Sequence, residues 1–84
     1  MANTFLLEIV TPTQLVLSEQ VDFMTAPGSE GEFGVLAGHA PFLTTLKPGK
    51  LNYKIGNDTT RLSIGIGYAE VGHEKVTILA ETVS

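Results

Sequence analysis

A chain of 84 residues with 43% hydrophobic content has room for one domain and one modest core. Its net charge of −4, five basic residues against nine acidic ones, argues against a nucleic-acid surface or a polybasic membrane patch. It has no cysteine, which removes disulfides, zinc–thiolate sites and thiol chemistry.

The N-terminal Met1-Ala2-Asn3-Thr4 carries no charged n-region, and Phe5-Leu6-Leu7 is followed at once by Glu8. No signal peptide is expected, and the default compartment is the cytoplasm. No apolar stretch approaches the roughly 18 residues that span a bilayer. From Phe5 onward the apolar pattern has period two. Phe5, Leu7 and Ile9 alternate with Leu6, Glu8 and Val10, and after Thr11-Pro12-Thr13 comes Leu15-Val16-Leu17, apolar on both sides and so open to being covered twice. Val21 and Phe23 then alternate with Asp22 and Met24. Further on, Leu51, Tyr53 and Ile55, then Leu62, Ile64 and Ile66, then Val76 and Ile78 repeat the pattern. Such runs are half-buried strands. Turn signals separate them at Pro27-Gly28-Ser29, Lys47-Pro48-Gly49, Gly56-Asn57-Asp58 and Gly72-His73-Glu74. Gly65-Ile66-Gly67 places glycines inside a strand, the mark of a bulge or of close approach by another backbone. No window shows the 3.6-residue period of a helix. The pattern predicts an all-β domain over residues 1–84, an antiparallel β-sandwich or flattened barrel of about eight to ten short strands.

The segment Pro27 to Pro41 is the most specific part of the chain. Four glycines (Gly28, Gly31, Gly34, Gly38) and its two terminal prolines rule out a helix, where glycine costs about 1 kcal/mol and proline about 3. Phe33, Val35 and Leu36 want burial, so it is no slack linker. It presents Glu30, Glu32 and His39 from a fixed base, as a docking surface or site would. Glu32 is tied to its neighbour Phe33, and an anchored carboxylate can recognise a basic partner. His39, between Gly38 and Ala40-Pro41, reads first as an imidazole that fixes its own loop and second as a contact residue.

Catalytic and cofactor motifs are weak. Lys47-Pro48-Gly49-Lys50 lacks phosphate-loop spacing, and Glu70 stands where Gly65-Ile66-Gly67 would need a third glycine to bind a dinucleotide. His39 and His73 have no paired ligand spacing, and no nucleophile elbow surrounds Ser18, Ser29 or Ser63. Asn57-Asp58-Thr59 reads as a polar hairpin turn rather than a glycosylation site. No catalytic residue, cofactor or metal is expected. A small β-sandwich carrier or ligand-binding domain, with Lys47 as the carrier lysine, and a small β enzyme built on His39 with Glu30 or Glu32 are the competing readings; Lys47 lacks the flanking methionine or acidic pattern of a carrier.

The order Glu8-Ile9-Val10-Thr11-Pro12, then Ala26 through Leu36, then Gly38-His39-Ala40-Pro41 and Thr44-Thr45-Leu46-Lys47-Pro48-Gly49 closely resembles the epsilon subunit of the rotary F-type ATP synthase. Gly65 through Val71 and Val76 through Glu81 match it in order and spacing too. The resemblance covers essentially the whole chain. It implies the N-terminal β-sandwich of a central-stalk rotor subunit with no active site of its own. Such a subunit packs on the gamma subunit and the c ring, and couples proton flow to ATP synthesis on other subunits. It implies no cofactor, no nucleic acid, and attachment to the cytoplasmic face of the bacterial inner membrane only through the complex. By the same resemblance, the loop carrying Glu30 and Glu32 faces the polar loops of the c ring, and His39 and Thr44 lie near the foot of the stalk. Epsilon subunits continue into a C-terminal pair of helices that inhibits ATP hydrolysis and in some members binds ATP. No counterpart falls within these 84 residues, so neither property is assigned to any of them.

Overall fold

The computed structural model describes residues 3–84. Nine strands follow one another: β1 (Phe5–Thr11), β2 (Gln14–Val21), β3 (Phe23–Gly28), β4 (Gly31–Leu36), β5 (Phe42–Leu46), β6 (Gly49–Ile55), β7 (Asp58–Ile64), β8 (Gly67–Val71) and β9 (Lys75–Ala80). The turns fall at the proline and glycine clusters: Pro12-Thr13 joins β1 to β2, Ser29-Glu30 joins β3 to β4, and Gly56-Asn57 joins β6 to β7. The all-β architecture expected from the period-two pattern is the one observed.

Hydrogen-bonded neighbours run in the order β2-β1-β9-β8-β5-β3-β6-β7, with β4 on the free side of β3. All pairings are antiparallel except β1 with β9, where Leu7 lies beside Val76 and Ile9 beside Ile78 in parallel register. The sheet curls until β2, near one end, approaches β6, near the other. β5 pairs with β3 only where Leu46 meets Gly28, so the curled sheet forms two layers that join at that corner.

The core lies between the layers. Phe5, Leu7 and Ile9 of β1, Val76, Ile78 and Ala80 of β9, and Ala69 and Val71 of β8 supply one wall. Met24, Ala26, Val35, Leu51 and Ile64 supply the other. Among the described residues no polar side chain is buried, and no buried side-chain nitrogen or oxygen atom lacks a hydrogen-bond partner. The interior is therefore held by apolar packing alone. Leu7→Ala should cost about 2–5 kcal/mol, because a fully buried leucine leaves a cavity its close-packed neighbours only partly fill. Equilibrium urea unfolding measures this, and a loss under 1 kcal/mol would mean the site collapses freely.

Two details depart from the simple alternation. Val21 and Phe23 do not share a face: Val21 and Met24 are fully buried while Phe23 is 36% exposed. The chain bends at Asp22, whose N–H donates to the Lys54 carbonyl (2.8 Å) and whose carboxylate accepts the Gly56 N–H (2.7 Å), and the phase of β3 shifts by one residue there. Leu15-Val16-Leu17 is not covered twice within the chain. The register slips between Ile9 and Val10, which pair with Leu17 and Leu15, and Val16 becomes the extra bulged residue. Leu15 and Val16 are exposed as a result.

The glycine pair at residues 65 and 67 does not lie inside one strand: Gly65 and Ile66 form the break between β7 and β8, and Gly67 opens β8, but the close approach of another backbone is there. Gly65 N–H donates to the Thr82 carbonyl (3.0 Å), and Glu81 N–H donates to the Ile66 carbonyl (2.9 Å). A Cβ built on Gly67 would overlap the Leu79 carbonyl oxygen. The backbone of 65–67 thus lies flush on residues 79–82, and Ile66 is turned out to 51% exposure.

Candidate interaction site

The residues named from sequence lie along the β3–β4–β5 flank. Ser29 and Glu30 form the turn into β4, which Gly31 makes possible at φ 133°, a backbone angle that side chains disfavour. The turn is pinned to β5 on both sides. Ser29 N–H donates to the Thr45 carbonyl (2.9 Å), the Thr45 hydroxyl donates to Ser29 Oγ (2.7 Å), and Lys47 N–H donates to the Pro27 carbonyl (3.0 Å). The last bond also ties down the Lys47-Pro48-Gly49 connection that a carrier reading would need as a free hairpin tip. Glu30 and Glu32 are exposed at this rigid end, with Glu32 opposite Pro27 in the ladder.

His39 follows β4 at its far end. From Gly31 to Leu36 the strand rises about 17 Å, so His39 and the two glutamates mark opposite ends of one edge. The His39 ring stands 5.3 Å from that of Phe42, which meets Phe33 edge-on at 5.3 Å and 80°. Its Nδ1 lies 2.9 Å from the Ala40 carbonyl, and its backbone N–H donates to Leu36 O (3.2 Å). All these contacts brace its own loop. Thr44 is half-buried opposite the fully buried Ala69, with its hydroxyl donating to the Thr45 carbonyl (3.3 Å). Its neighbours Leu43 and Thr45 are the ones turned outward.

Those outward neighbours lead to a surface the sequence reading missed. Strand register aligns Thr45, Tyr68, Leu79, Val10 and Leu15 across β5, β8, β9, β1 and β2 on the outer face. Five adjacent strands make this row about 19 Å wide. Leu43 (68% exposed) and Ile66 flank it, and Tyr68 and Leu15 are 45% and 57% exposed. Two shallow open depressions meet at Thr45 and Tyr68. The next row, Leu43, Glu70, Thr77, Glu8 and Ser18, is mostly polar, and Lys75 pairs there with Glu8 at 3.0 Å. A polar-rimmed apolar strip of this kind marks a contact surface. The available signal was β9 itself: Val76, Ile78 and Ala80 face the core, yet Leu79 between them is also apolar.

Among the described residues, no three His, Asp or Glu side chains stand close enough to hold a metal ion. A braced carboxylate turn on one edge and an apolar strip on an outer face are the two candidate interaction features of this β-sandwich domain. The family model described as "ATP synthase, Delta/Epsilon chain, beta-sandwich domain" matches residues 4–84, and the chain belongs to that family.

Relatives agree. The ATP synthase epsilon chain of Maridesulfovibrio salexigens is 57% identical over 81 residues, covering 96% of this chain and 57% of that protein. The epsilon chain of Nitratidesulfovibrio vulgaris is 55% identical over 82 residues, covering 98% of this chain and 61% of its own length. The chain therefore spans about three fifths of these relatives. A chain in the Euglena gracilis mitochondrial ATP synthase, solved as OSCP/F1/c-ring in rotational state 1, superposes with a TM-score of 0.93 at 29% identity. That match covers all of this chain and 54% of the other. A chain in the central stalk/c-ring structure of the Tetrahymena thermophila mitochondrial ATP synthase shares the fold, with a TM-score of 0.80 at 16% identity over 95% of this chain and 65% of that one.

Proposed function

We propose that this chain is the β-sandwich of a non-catalytic central-stalk subunit of a proton-translocating ATP synthase. It carries torque between the c ring and the gamma subunit, and sits peripherally at the cytoplasmic face of a bacterial inner membrane. The observation that carries this reading is the partly exposed apolar row through Tyr68 and Leu79 on a wholly apolar-cored scaffold. A close-packed sandwich deforms little under load. The row faces gamma, where burial of exposed aromatic and aliphatic side chains supplies the affinity. The Glu30–Glu32 turn, braced from β5, faces basic and polar groups of the c-ring loops, while His39, beyond the far end of β4, and Thr44 in β5 hold their own loop and strand in shape.

Glu32→Lys tests the ring contact in the assembled complex. Glu32 is exposed, opposes Pro27 and forms no ion pair among the described residues, so reversal should change folding stability by under about 0.5 kcal/mol. Association with the c ring should weaken about fivefold or more, most at low salt. Equal losses in stability and binding would make Glu32 a structural residue. Unchanged binding would remove it from the interface.

A further inference from the structure

The outer face of the other layer has a different chemistry. Leu36, Phe23, Lys54 and Thr59 form one transverse row across β4, β3, β6 and β7, and Gly34, Thr25, Asn52 and Arg61 form the next. Leu36 is 60% exposed and Phe23 36%, so an exposed aliphatic–aromatic pair lies next to Lys54 in register. Arg61 Nε donates to Asn52 Oδ1 (2.9 Å), and Asn52 Nδ2 donates to Thr25 Oγ1 (3.1 Å), which lays the guanidinium along the sheet. Lys50 donates to Ser63 Oγ on the same ribbon.

Charge is partitioned with the fold. Residues 47–61 hold four of the five cations and one of the nine acids, a net +3, while the remainder of the chain carries −7. The acids nearest this face are Glu32, Asp22 and Asp58, and none forms an ion pair with Lys50, Lys54 or Arg61; the one pair among the described residues is Lys75 with Glu8.

We propose that this face docks an acidic amphipathic helix of a partner polypeptide, its apolar side on Phe23 and Leu36 and its carboxylates on Lys50, Lys54 and Arg61. The four strands span about 14 Å, and a helix with side chains is about 10–12 Å across, so one helix covers the patch. Charge complementarity selects an acidic partner, and the apolar pair selects an amphipathic one. A continuous polyanion fits poorly. It would meet only three cations, rimmed by Glu32, Asp22 and Asp58, on a chain whose total charge is −4. The proposal does not depend on the stalk reading, which uses the outer face of the opposite layer and the Glu30–Glu32 turn at the rim of this one.

The test is a titration of the full, isotope-labelled chain with a synthetic helix of about five turns carrying leucine on one side and glutamate on the other. Amide shifts should concentrate at Phe23, Leu36, Lys54 and Arg61. The double variant K54E/R61E, confirmed as folded by its melting curve, should bind about tenfold more weakly or worse. If that variant fails to fold, K54Q/R61Q replaces it with the same expectation of direction. Several results would overturn the proposal: no binding, shifts on another face, undiminished binding by the variants, or equal binding of polyglutamate. Shifts at the same residues on concentrating the protein alone would replace the helix with a second copy of this chain. Shifts with phosphatidylglycerol vesicles would replace it with a membrane surface.

Discussion

Gly67→Ala should abolish folding or lower the melting temperature by more than about 12 °C. The added methyl group would overlap the Leu79 carbonyl oxygen, a backbone atom that two strand neighbours hold in place. Overpacking against side chains typically costs 1–3 kcal/mol, and here the obstacle cannot rotate away. About 3 kcal/mol is therefore a lower figure, and each kilocalorie moves the midpoint of a domain this size by roughly 4–8 °C. Gly65→Ala is the internal control. Its new Cβ would stand 2.7 Å from the Thr82 hydroxyl oxygen, the tip of an exposed side chain that can turn aside. A loss of about 1 kcal/mol is expected there. Thermal melts of the two variants decide the matter, and equal effects would show that close backbone contact is not what the glycine pair provides. The consequence reaches function, because the same contact turns Ile66 out onto the apolar strip.

Tyr68→Ala should leave the fold nearly intact and weaken association with the gamma subunit by about thirtyfold. Tyr68 is the aromatic residue of the outer row, between Thr45 and Leu79 in register and beside the exposed Leu43 and Ile66, and both shallow depressions share it. Central aromatic residues of an interface commonly cost 2 kcal/mol or more on truncation, which is about thirtyfold in affinity. At 45% exposure in the free chain it contributes less to folding, and a stability change under about 1 kcal/mol is expected. Calorimetric titration of gamma into the wild type and the variant, with melting curves for both, separates the two effects. A drop in melting temperature that accounts for the lost binding would reassign Tyr68 to the fold.

Much of the strand inventory was legible in the sequence because alternation and turn chemistry are local. Thr11-Pro12-Thr13 and Gly56-Asn57-Asp58 reverse the chain where their φ preferences require it. Register was less legible. The parallel pairing of β1 with β9 joins residues about seventy positions apart, for example Leu7 with Val76, and no local pattern encodes its direction. The phase shift at Asp22 depends on bonds to Lys54 and Gly56, more than thirty residues away. For the site, Glu30, Glu32 and His39 stood out because glycine and proline crowd around them. Leu43, Tyr68 and Leu79 did not, since an exposed apolar residue on an outer face looks like a core residue until the register is known. Leu15-Val16-Leu17 is apolar on both sides in the sequence, and the bulge at Val16 sends Leu15 to the end of the exposed row.

The most direct measurement is hydroxyl-radical footprinting of the full chain, free and assembled with the gamma subunit and c ring. Side-chain labelling reports solvent access at single residues. Leu43, Ile66 and Tyr68 should label readily in the free chain and lose most of that labelling in the assembly. If all three label equally in both states, the outer strip of β5, β8 and β9 is not where this sandwich grips the stalk.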